Sequence, residues 1–151
     1  MESRQTKIES LAGEGNLTEL KRIFDSGYSQ LELDVALENA IAYSRIPTAE
    51  YLLELGADFS NYDYQGTYYA VHNNEIQGLK FAIERGVDVN IMNGHLLNTA
   101  IITVNNTKDP TILKYLLAKG ADINLLSKEI MDAFGNSETR VILRNAKQKR
   151  M

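Results

Sequence analysis

Apolar residues recur along this chain at fixed distances before four glycines. Seven, four and three residues upstream of Gly27 stand Leu20, Ile23 and Phe24, and upstream of Gly56 stand Ala49, Leu52 and Leu53. The same offsets from Gly86 give Leu79, Ala82 and Ile83, and from Gly120 they give Leu113, Leu116 and Leu117. Those offsets share one face of an α-helix, so each glycine is predicted to end an amphipathic helix whose stripe faces a core. Lys21, Glu50, Lys80 and Lys114 lie six residues before the glycines and mark the wet face. A glycine at the stop suits the left-handed conformation, which a residue with a β-carbon adopts at a cost. Leu53 and Leu117 are therefore expected in the core, with Lys80 and Lys114 outside it.

The starts carry signals too. Asn16 with Glu19, and Asn74 with Gln77, pair a capping side chain with a partner three residues on. Pro47 and Pro110 fall at the first turns of the other two outer helices, where a missing N–H is harmless. Before each outer helix a shorter helical segment is predicted, "IESLAG", "VALENAIAY", "TYYAVHN" and "LLNTAIITV", with Ala12, Ala40, Ala70 and Ala100 in matching places. A final pair, "SKEIMDAF" and "SETRVILRNAKQKR", has no stop glycine and grows polar, as a terminal cap does. The glycines lie 29, 30 and 34 residues apart, the period of a supersecondary unit. The expected fold is all-α, about five helix–turn–helix repeats in one domain over 1–151, at 6–33, 34–63, 64–93, 94–126 and 127–151.

Composition narrows the partners. With 151 residues and 44% hydrophobic content, the chain can bury one real core. A net charge of −4 and a pI near 5.2 provide no general attraction to nucleic acid or an anionic membrane. The one basic cluster, Lys147, Lys149 and Arg150, reads as a solvated, frayed helix end. No cysteine is present, so disulfides and zinc–thiolate sites are excluded. "MESRQTKIES" lacks the apolar run of a secretory signal, and the apolar stretches are too short to span a bilayer. A soluble cytoplasmic protein is expected.

At this level of detail the residues resemble the ankyrin repeat family. "LAGEGNLTELKRIFDSG" is similar to that family's inner-helix end, turn and outer helix, and "GADFS", "GVDVN" and "GADIN" are similar to its Gly-Ala-Asp-Val-Asn exit. The resemblance runs from about Ile8 to Ala146 in several registered copies. It implies a right-handed stack of helix–turn–helix units with a concave face, usually used to bind another protein. The family's Thr-Pro-Leu-His box is missing, its places being taken by Val35 to Glu38, Gln65 to Tyr68 and His95 to Asn98. Spacings of 29 and 30 fall short of the family's period of about 33. The loss lies where the family projects a β-hairpin finger. The 34-residue interval keeps the short exit and regains length through "NNTKDP" between its helices. Stubby loops are expected, with recognition shifted to inner-helix side chains.

Signals of chemistry are weak. His72 and His95 stand a repeat apart, and "GEG" at Gly13 to Gly15 lacks the continuation of a phosphate loop. No Gly-x-Ser-x-Gly elbow occurs, and Glu129 with Asp132 reads as a solvated helix face. No catalytic residue, metal site or cofactor is expected. The tyrosines are more informative. Tyr43, Tyr62, Tyr64, Tyr68 and Tyr69, followed by His72, read either as an aromatic anchor or as cover for short exits. Tyr62 and Tyr64 favour binding. Tyr68, in the place of the missing box histidine, and Tyr69 favour packing.

The family's presenting positions, carried onto this chain, are Tyr43, His72, Asn73, Ile102 and Thr103 on inner helices. In the shortened exits they are Glu32, Asp34, Tyr62, Tyr64, Met92 and Asn93. None is a lysine or arginine, which suits a protein surface better than phosphate. The expected function is a non-catalytic protein–protein interaction module, monomeric alone, with no nucleic acid or membrane partner. An inhibitor or immunity-type protein that occludes a partner's active site is one alternative; an enzyme or small-ligand binder with an inter-helix site is another. Gly78, inside the third outer helix, is expected to tolerate alanine unless a neighbouring helix sits against it.

Overall fold

The computed structural model describes residues 2–150. These residues fold into ten α-helices and one short 3₁₀ turn at Ile123–Leu125. In chain order the helices are α1 (Arg4–Glu14), α2 (Leu17–Asp25), α3 (Gln30–Ala42), α4 (Ile46–Glu54) and α5 (Asn61–His72). Then come α6 (Ile76–Glu84), α7 (Ile91–Thr107), α8 (Thr111–Ala118), α9 (Lys128–Phe134) and α10 (Ser137–Lys149). Consecutive helices pair through a turn, giving the five inner and outer partners that the periodicity predicts. The chain divides after Gly86 into two compact units. In the first, α3 is the central helix and packs on α1, α4, α5 and α6; in the second, α7 packs on α8 and α9.

The stop glycines behave as their spacing requires. Gly27, Gly56, Gly86 and Gly120 have φ of +111, +103, +102 and +91°. Ala12, Ala40, Ala70 and Ala100 are fully buried, so the inner helices approach their neighbours over a side chain of one carbon. In the outer stripe, Leu20, Ala49, Leu79 and Leu113 are also fully buried, as are Leu52, Ala82 and Leu116. In the row three before the glycines, Phe24 and Leu117 join the core, but Leu53 and Ile83 are only half-buried. Lys114 is exposed, while Lys80 is half-buried.

Helix starts depart from expectation in two places. Asn16 caps α2, accepting the Glu19 N–H at 3.2 Å. Asn74 does not cap α6, whose N-cap is Glu75; Asn74 lies at φ +58° in the turn before it. Gly15, Ser44 and Lys108 take the same conformation after α1, α3 and α7, so asparagine suits this place through its tolerance of left-handed backbone. Pro47 lies in the first turn of α4, but Pro110 is the N-cap of α8, and "NNTKDP" in part prolongs α7.

The exits differ more. Ser29 caps α3 in a capping box with Glu32, the Glu32 N–H bonding Ser29 Oγ at 3.1 Å and the Ser29 N–H bonding Glu32 Oε1 at 3.0 Å. Glu32 is therefore in the first turn of α3 and Asp34 just beyond it in the same helix, neither in a loop. Near the starts of α5 and α7, inside their ranges, the backbone turns left-handed for three residues and kinks each element. Tyr62, Asp63 and Tyr64 have φ of 48, 54 and 63°, and Met92, Asn93 and Gly94 have 49, 56 and 85°. The exit aspartates brace the approach to these turns: Asp58 accepts the Ser60 N–H and Asp88 the Asn90 N–H, both at 2.9 Å.

The basic end is not frayed. Arg150 donates to the Ala121 carbonyl at 2.9 Å and to the Leu117 carbonyl at 2.8 Å, closing α10 over the C-terminal end of α8. No helix among the described residues is long and apolar enough to cross a membrane.

Candidate functional site

Gln65, Tyr69, His72 and Asn73 follow one another at offsets of four, three and one, a single stripe of α5 and its C-cap. Beside it, α3 and its C-cap present Glu38, Asn39, Ala42 and Tyr43, and α1 presents Glu9. Together these nine residues line a groove of about 390 Å³ within the first unit. A second hollow of about 460 Å³ adjoins it, sharing Glu9, Asn39 and Tyr43 and adding Glu14 and Arg45.

Small residues set the spacing of the walls. A β-carbon on Gly66 would lie 2.7 Å from the Glu38 Cα, so α5 meets α3 backbone to backbone there. A β-carbon on Gly13 would lie 3.2 Å from the Tyr43 ring, which leans over α1. Tyr43 is the C-cap of α3 and stays 49% exposed; Tyr69 is 37% exposed. The Tyr69 ring meets Tyr68 edge-on at 4.9 Å and His72 edge-on at 6.1 Å, and Tyr68 stacks on His72 at 5.9 Å. These contacts pack the Tyr69 and His72 rings against Tyr68 and restrict their rotamers, which lowers the entropy lost on binding.

Polar groups hold the frame. Asn73 Nδ2 donates to the Ala42 carbonyl at 3.2 Å, tying the end of α5 to α3. Arg45 Nε donates to the Gly13 carbonyl at 2.8 Å, tying the α3–α4 turn to α1. Asn61 Nδ2 donates to Glu38 Oε1 at 2.7 Å. Burial holds the Glu38 carboxyl above its ordinary range; the Asn61 bond opposes this, and the nearby charges of Asp34 and Glu9 add to it.

Of the residues expected from sequence, the groove brings together Tyr43, His72 and Asn73. Tyr62, 59% exposed, and Tyr64, half-buried, stand in the left-handed kink at the start of α5. Met92 and Asn93 are exposed in the corresponding kink at the start of α7, in the second unit. Ile102 is half-buried. Thr103, expected on a presenting face, is buried, its hydroxyl bonded to the Thr99 carbonyl at 3.1 Å. Asp34 is buried as well, accepting from Gln30 Nε2 and from the Asp58 N–H at 2.8 Å each. Glu32 pairs with Arg4 at 2.6 Å. Sequence reasoning missed Glu9, Glu38, Asn39 and Gln65, and assigned Tyr69 to packing. The stripe from Gln65 to Asn73 was the available signal.

No protein-family model matches the chain. It is 29% identical over 102 residues to "BRCA1-associated RING domain protein 1" of Caenorhabditis elegans, covering 66% of this chain and 14% of that protein. It is 30% identical over 116 residues to a putative ankyrin repeat protein of Acanthamoeba polyphaga mimivirus, covering 76% of this chain and 24% of that one. The chain thus spans less than a quarter of the length of either relative.

Proposed function

We propose that this chain, whose distant homologues are ankyrin repeat proteins, is a non-catalytic module that binds another protein through the groove across α1, α3 and α5. The observation that carries this reading is the convergence of Tyr43, Tyr69 and His72, from two different helices, on one open surface. Tyrosine provides a large contact area with few rotatable bonds and a hydroxyl that tolerates a wet rim. Side chains set on packed helices keep their positions better than side chains on loops. The polar groups of the rim, Gln65, Asn39 and Asn73, suit the hydrogen bonds that surround such an anchor.

Affinity purification from the native host tests the reading, with tagged wild type and Tyr43→Ala/Tyr69→Ala as baits. A stoichiometric protein partner should be retained by the wild type and lost by the double variant, with the helical circular dichroism unchanged. Equal retention by both baits would move the binding surface elsewhere, and the absence of any partner would end the interaction reading.

A further inference from the structure

We propose that the groove accepts a basic segment of its partner protein, with an arginine or lysine head between Glu9 and Glu38 and its stem against Tyr43 and Tyr69. The inference rests on the binding function proposed above and specifies the chemistry of the partner. Glu9 and Glu38 line the groove, and no lysine or arginine does. Glu14 adds a carboxylate at the adjoining hollow, where the one cation, Arg45, already has its Nε on the Gly13 carbonyl. The groove itself is therefore lined by carboxylates and no cation, and at the adjoining hollow Arg45 offsets only part of the charge of Glu9 and Glu14.

The carboxylate of Glu38 is positioned rather than waving in solvent. Asn61 engages its Oε1, which orients the group and leaves the second oxygen with acceptor capacity. The half-buried site weakens hydration of that charge, and an incoming cation compensates what water does not. The exposed rings of Tyr43 and Tyr69 suit the alkyl stem and the charged head alike, since aromatic faces attract guanidinium and ammonium groups. An acidic segment would meet repulsion from Glu9 and Glu38, with no cation lining the groove to offset it. A wholly apolar one would strand both carboxylates without water.

Selection from a displayed random peptide library on the immobilised full chain tests this, followed by fluorescence-polarisation titration of the selected peptides. Peptides enriched in arginine or lysine should emerge, bind more weakly as salt rises, and lose roughly tenfold or more in affinity to Glu9→Gln/Glu38→Gln. Enrichment of acidic or uncharged peptides, or of none, overturns the inference. So does spermine binding the groove as tightly as the selected peptides, which would make the occupant a small polyamine. A separate result bears on the underlying reading. Selected peptides of any charge that bind Tyr43→Ala/Tyr69→Ala as well as wild type would remove the groove itself as the binding surface.

Discussion

A β-carbon on Gly78 would run into the carbonyl oxygen of Ile41, because α6 crosses α3 with no side chain between them. The Gly78 N–H also donates to Ser44 Oγ at 2.9 Å, fixing the same approach from the other side. Helix propensity alone favours alanine over glycine by about 1 kcal/mol, which underlies the tolerance expected from sequence. The carbonyl cannot yield as a flexible side chain would, so the sign reverses. Gly78→Ala is expected to destabilise by about 1–3 kcal/mol through overpacking. Gly86→Val, where a β-carbon meets nothing within 4 Å but φ is +102°, should destabilise by about as much through backbone strain alone. Urea denaturation of both variants measures this; a raised midpoint for Gly78→Ala would show that α3 and α6 separate easily.

The adjacent leucines of α4 separate core from flank. Leu52 is fully buried and Leu53 half-buried. Leu52→Ala should cost roughly 2–5 kcal/mol, the range for a well-packed leucine, and Leu53→Ala clearly less. Equal losses in chemical denaturation would mean that Leu53 is as tightly packed as Leu52.

Acid should expose the role of Glu32. Its carboxyl is held below its ordinary value of 4.5, chiefly by the hydrogen bond from Arg4, with backbone and side-chain bonds from Ser29 acting in the same direction against burial. A carboxyl with a depressed pKa stabilises the fold above its unfolded value, and that contribution disappears as pH falls through the folded value. Thermal melts between about pH 6 and pH 3 should therefore show wild type and Glu32→Gln converging as acid is added, with the gap largest at the neutral end. Arg4 also donates to the Gly27 carbonyl at 2.7 Å, so part of its tie to the α2 stop should survive in the variant. A gap that widens in acid would contradict this.

The helix–turn–helix pairs were legible because their causes are local. The offsets from Gly56 to Leu52 and Ala49 are a property of one helix, and a glycine stop needs only its own backbone. Ser29 and Glu32 likewise form a capping box of local cause, in a place where the resemblance implies an exit loop. Asn74 shows the limit of such local signals, since asparagine serves a cap and a left-handed turn equally well.

The amino-acid sequence alone determined that the chain is helical, where its helices stop, and which face of each is apolar, because periodicity and backbone preference act within a few residues. The tertiary structure decided what each exposed position meets. Tyr69 became a wall of a groove when α5 lay beside α3, Gly78 became indispensable when α6 met the Ile41 carbonyl, and Arg150 became a clamp when α10 closed over α8. Each of these depends on distances between residues far apart in the chain, and contact at that range is set by how helices pack and not by the pattern along any one of them.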